Sequence, residues 1–180
     1  ELLADISPET CYAARRTLTF DPVETGTLLK QIPLYAEAEE TEPYEASVNR
    51  LFGYLWTTTF LSQETVVAVR EALADPHYPS AARSQIVSAL LLGLQQTFDK
   101  EKLLLLFDAA SPVSDETIRI RALIAIILTL YTYRRRTAFY PEIERQLGLL
   151  AESPDFKRLL LTIILRFILA RETEKISHKL

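Results

Sequence analysis

Two histidines, one cysteine and twenty-four carboxylates are the side chains that could carry catalysis or hold a metal. Nucleophilic catalysis needs a nucleophile, a base and a group that orients the base. Cys11 has no histidine near it in sequence, and His77 and His178 lie far apart. His77 sits in the turn DPHYP, where a solvated or capping role is expected. His178 follows Glu174 by four, a spacing that brings two metal ligands together on a helix. Two ligands do not close a metal site, so a charged tail helix is the expectation there. Glu37, Glu39, Glu40 and Glu42 cluster in QIPLYAEAEETEP. General acid work wants a carboxyl raised by burial, which a solvated acidic run does not provide. The glycines, at 26, 53, 93 and 148, are isolated, so no phosphate-cradling loop is present. The reading is a non-enzymatic chain with no cofactor, catalytic residue or metal site.

The basic residues are better candidates for binding. Arg134, Arg135 and Arg136 end a long apolar run, where cations complement the negative end of a helix. Stepping by three or four along LLLTIILRFILA and its flanks puts Arg158, Thr162, Arg166 and Thr173 on one stripe. The equivalent stripe one long segment earlier is Arg121, Ala125, Thr129 and Thr132; before that it is Ser84, Ser88 and Gln95. Side by side, these stripes would form a polar face that grows more basic toward the C-terminus. Arg121, Thr129, Arg158, Thr162 and Arg166 are the candidate partner-binding residues. A plain solvated stripe is the competing reading, because every surface helix needs one.

Composition sets the frame for these stripes. The chain has 180 residues, with 48% hydrophobic and 24% charged side chains, enough for a real core. Residues 1–43 hold nine acidic and three basic side chains, and residues 44–180 hold fifteen and seventeen. Neither part is basic enough to bind nucleic acid through charge alone. A single cysteine cannot make an internal disulfide, so a reducing, cytoplasmic setting is expected. The N-terminus shows no secretory signal, and no stretch has the roughly twenty apolar residues a membrane span needs.

Scarce glycine and abundant Leu, Ala, Ile, Glu and Arg predict helices. Residues 1–43 read as an irregular acidic segment, with 31–43 a linker because of two prolines and four glutamates. From Tyr44 the apolar spacing turns helical, and residues 44–180 read as one repeat domain. Ser62 and Asp99 are predicted helix caps, Asp75-Pro76 a stop, and Pro141 and Ser153-Pro154-Asp155 starts. Short and long helices alternate, giving repeats at about 62–98, 99–134 and 140–172. ALIAIILTLY, residues 122–131, is apolar on every side and predicts a helix buried all round. Phe52, Tyr54, Trp56 and Phe60 are expected to cover the apolar side of the next repeat.

Arg83, Arg119 and Lys157 fall at corresponding places, 36 and 38 residues apart, a period typical of helical arrays. DETIRIRALIAIILTL and PSAARSQIVSALLLGL resemble the second helix of a HEAT repeat, with Asp75, Pro76, Ala82, Arg83, Ala89 and Leu90 in one copy. Asp115, Ile118, Arg119, Ala122 and Ile126 match in the next; Phe156-Lys157 and Leu160 depart from the pattern in the third. The resemblance covers about residues 62–171 and extends to long bacterial proteins in which such helices precede tetratricopeptide repeats. It implies an all-α, right-handed solenoid of about three helix pairs, with extra N-terminal helices and no catalytic role. It also implies that Arg83, Arg119 and Lys157 pair with turn acids of a neighbouring repeat, from Asp75, Asp115 and Asp155. The expected function is a protein-interaction or scaffolding segment whose partner is another protein or a flanking domain. A nucleic-acid-binding module of the DNA-repair type and a purely structural spacer are the alternatives.

Overall fold

Proline has a fixed φ and no N–H to satisfy, so it fits the first turn of a helix. In the computed structural model, which describes residues 22–111, 114–152 and 154–177, Pro22 opens the first helix, α1 (Pro22–Glu37). Seven more follow: α2 (Thr41–Thr57), α3 (Gln63–Ala74), α4 (Ser80–Gln96), α5 (Lys100–Ala109), α6 (Glu116–Thr137), α7 (Pro141–Glu152) and α8 (Pro154–Ser177). The described residues contain no strand, so the fold is all-α.

The predicted signals at Ser62, Asp75 and Pro141 act locally as expected, and the Ser153 cap lies outside the described residues. The Ser62 hydroxyl accepts from the Thr65 N–H at 3.2 Å and caps α3. Asp75 ends α3, and its carboxylate accepts from the His77 N–H at 2.8 Å. Asp115, which the sequence reading did not single out as a cap, accepts from the Thr117 N–H at 2.9 Å before α6. Pro141 opens α7.

Residues 31–43 correct the sequence reading. They are not a linker but the end of α1, a tight turn and the start of α2. The glutamates do face solvent, yet Leu28, Leu29 and Ile32 are core residues on the opposite side of α1. Between the helices, Glu39 adopts a left-handed φ of 57°. The Glu40 N–H reaches back to the Tyr35 carbonyl and the Glu39 N–H to Ala36, which is a Schellman closure.

Contacts divide the chain into two compact units, Glu1–Tyr133 and Arg134–Leu180, rather than at residue 43. In the first unit, α1 packs on α2 and α3, α2 on α4, α3 on α5, and α4 on α5. So α1, α3 and α5 form one row and α2 and α4 a second. In the second unit, α7 packs on α8. The core of the first unit is aliphatic, with Leu51, Leu55, Ile86, Leu90, Leu94, Leu103, Leu105 and Leu106 all withdrawn from water. Each such side chain contributes about 2 kcal/mol.

One polar cluster is set into this core. Lys102 is 1% exposed, and its ammonium donates to the Thr58 carbonyl at 2.5 Å, just past the end of α2. Gly93 makes room for it. A Cβ at Gly93 would lie 2.5 Å from Lys102 Nζ and 3.1 Å from the Leu55 and Trp56 carbonyl oxygens. Three residues before Lys102, Asp99 caps α5 by accepting from the Glu101 N–H at 3.0 Å. Its second oxygen accepts from the Leu61 N–H at 3.1 Å. The α4–α5 junction therefore grips the α2–α3 junction from both sides.

The long helix α6 also differs from expectation. Ile118, Ala122, Leu123, Ala125 and Ile126 are buried, but Ile124, Ile127, Leu128 and Leu130 are only half-buried and Tyr131 is exposed. Tyr133 leaves helical geometry near its end and packs its ring against Phe98 with centroids 5.2 Å apart.

Gly→Ala normally stabilises a helix interior. Here Gly93→Ala should cost about 2 kcal/mol, because the methyl meets fixed carbonyls. Gly148→Ala in α7 meets nothing within 4 Å and should gain about 0.5 kcal/mol. Urea unfolding of both variants checks the opposite signs. Glu39→Gly should raise stability by about 1 kcal/mol by relieving the left-handed residue, read as an upward shift in Tm.

Candidate functional site

The predicted partner-binding residues fall in both units: Arg121 and Thr129 on α6 in the first, and Arg158, Thr162 and Arg166 on α8 in the second. The three arginines are exposed. Thr129 is not; it is fully buried, and its hydroxyl donates to the Ala125 carbonyl at 2.8 Å. It cannot belong to a binding surface. Three other hydroxyls of the stripes are spent in the same way. Thr162 donates to the Arg158 carbonyl, Thr132 to Leu128 and Ser88 to Ser84, each four residues back. Hydroxyls in helices favour this back-bond, so the stripes offer guanidinium groups rather than a polar network.

The surface around Arg158 and Arg166 holds a feature the sequence stripe does not reveal. Leu161, Ile164 and Leu165 are 62%, 41% and 58% exposed. They share α8 with the arginines, so this helix presents aliphatic and cationic groups together. The apolar run LLLTIIL signals that much apolar surface exists. It does not signal which part is covered.

Arg83 and Arg119 do not pair with Asp75 and Asp115 as the resemblance implied. Those carboxylates close their own turns, and the Nε atoms of both arginines are buried without a hydrogen-bond partner among the described residues. The ion pairs between helices involve other residues. Arg70 Nε meets Asp108 Oδ2 at 2.8 Å, joining α3 to α5, and Arg50 pairs with Glu24, joining α2 to α1. Both are exposed pairs of modest worth. Asp155 and its pairing with Lys157 lie outside the described side chains.

The candidates for chemistry resolve simply. His77 is exposed in its turn. Cys11 and His178 lie outside the described residues. No cluster of three or more metal-ligating side chains occurs among the described residues, and no described helix is long and apolar enough to cross a membrane. Phe52 and Trp56 meet edge to face at 6.2 Å and are half-buried, while Phe60 projects outward, 67% exposed.

Two buried groups are shifted in acidity. Burial holds the Asp99 carboxyl above the ordinary carboxylate value, against the pull of the Leu61 and Glu101 N–H groups and the Lys102 charge. Burial also raises the Tyr78 hydroxyl, with Tyr44 adding to the effect. Both groups are structural by position: Asp99 is an α5 cap, and Tyr78 lies in the turn before α4.

The chain matches no family model, no curated protein and no solved structure.

The acidity of Asp99 gives a signed prediction. Its native-state carboxyl binds a proton at higher pH than in the unfolded chain, so its contribution to stability rises as pH falls through the raised value. Asp99→Asn lacks this term. The stability of the native protein relative to Asp99→Asn, from urea unfolding at about pH 7 and about pH 4, should move in favour of the native protein at the lower pH. A difference independent of pH would show that burial does not raise this carboxyl.

Proposed function

We propose that this chain is a non-enzymatic protein-interaction segment, built as a right-handed α-solenoid of HEAT-like helix pairs. The observation that carries the reading is a contact offset that occurs twice. Leu61 to Asp99 and Arg70 to Asp108 are both ties across 38 residues. That offset equals the spacing from Arg119 to Lys157 and is close to that from Arg83 to Arg119. Packing of each helix on the next but one, α1 on α3 on α5 and α2 on α4, is what stacked helix pairs produce.

Such a stack offers a partner a surface that is already formed, so little ordering cost opposes binding. Arg121, Arg158 and Arg166 are exposed cations on long helices and the residues expected to meet another protein or a flanking domain. Leu161 and Leu165 beside the last two would supply apolar contact. A charge-steered contact with an aliphatic centre suits a partner that is acidic and amphipathic.

The test is a pull-down from nuclease-treated lysate with the native chain and with a variant carrying Arg121→Glu, Arg158→Glu and Arg166→Glu. Circular dichroism confirms that the variant is folded, and mass spectrometry identifies retained proteins. The expected result is a protein held by the native chain and lost from the variant. Identical sets on both, or empty sets, would reduce the stripes to solvated surface and favour a spacer.

A further inference from the structure

A furrow of about 710 Å³ runs between α1 and α3, and none of Arg121, Arg158 and Arg166 lines it, so it is independent of the reading given to them. Leu29 and Pro33 line it from α1, and Val67, Ala68 and Ala72 from α3. The small side chains of Ala68 and Ala72 keep the α3 wall low. Gly26 has nothing within 4 Å of where its Cβ would stand, which leaves the α1 wall open. Val67 is 49% exposed although it is aliphatic.

Two features of this furrow ask for hydrogen-bond donors and positive charge. The first is electrostatic: Glu64, Glu71 and Asp75 line it against a single cation, Lys30. No ion pair between Lys30 and these acids occurs among the described residues. The second is an open acceptor. Pro33 lies inside α1 and has no N–H, so the Leu29 carbonyl lacks its ordinary donor four residues on. A backbone acceptor left unmatched is costly, and a ligand that matches it gains affinity.

We infer that the α1–α3 furrow is a docking site for a short basic segment of another protein, one with an aliphatic side chain flanked by Lys or Arg. The aliphatic group rests on Leu29, Val67 and Ala68, and the cations reach the carboxylates. Helix rise places Glu64 about 10 Å from Glu71 along α3, and Asp75 about 6 Å farther on. Cations at those intervals are spanned by a short helix or by about five extended residues. An acidic segment would meet three like charges and leave the Leu29 carbonyl unmatched.

The test uses a fluorescein-labelled peptide of about twelve residues composed of Leu, Lys and Arg, with a second peptide in which Glu and Asp replace Lys and Arg. Fluorescence anisotropy measures binding to the native chain and to Glu71→Lys, Ala68→Leu and Glu144→Lys, each checked for folding by circular dichroism. Glu144→Lys makes the same charge change on the exposed surface of α7. Basic peptide binding that weakens about tenfold in Glu71→Lys and in Ala68→Leu, yet is unchanged in Glu144→Lys, is the expected result. Equal loss in Glu71→Lys and Glu144→Lys would mean attraction to net charge alone and would overturn the site. So would equal binding of the two peptides, retention in both furrow variants, or no binding of the basic peptide.

Discussion

A buried ammonium group needs acceptors that cannot move away, because leaving it unmatched costs several kcal/mol. Lys102 meets this demand with the Thr58 carbonyl just past the end of α2, and the junction of α2–α3 with α4–α5 is built on that contact. The ammonium can reach it only where α4 lacks a side chain, which fixes glycine at position 93. The same turn of chain brings Asp99 to the Leu61 N–H, so the two loops are held by one acceptor and one donor of opposite charge. Neither residue is replaceable alone. Without Lys102, Asp99 would be a buried carboxylate with less positive charge nearby, and without Asp99 the reverse would hold. The rows of helices keep their spacing because this junction does.

Signals that act over one turn were legible in the sequence. Ser62, Asp75 and Asp99 each accept a backbone N–H two or three residues on, a local bond that short polar side chains at helix ends favour. The all-α class was legible for the same reason, since composition and apolar period are properties of a segment. α1 was hidden because its exposed face carries the glutamates and prolines that also mark linkers. What decides its fate is the trio Leu28, Leu29 and Ile32, too few to show a period against that background.

The binding stripe was legible only in part. Periodicity showed that Arg121, Arg158 and Arg166 share helical faces with hydroxyl residues. It could not show that Thr129 points inward or that Ser88, Thr132 and Thr162 bond to their own helices. Lys102 was missed for a related reason. In KEKLLLLF a lysine reads as solvated surface, and only the distant Gly93 makes its burial possible. The furrow beside α1 had no sequence signal at all, because it depends on how α1 and α3, some forty residues apart, lie against each other.

The separations of the interhelical ties also bear on how the first unit assembles. Glu24–Arg50, Leu61–Asp99, Arg70–Asp108 and Thr58–Lys102 span 26, 38, 38 and 44 residues. Loop closure grows only with the logarithm of length, so the longest of these costs about 0.5 kcal/mol more than the shortest. A chain synthesised as far as Ala110 already holds both ends of all four. The two rows can therefore close helix by helix while later residues are still being added, with no early segment waiting for a distant partner.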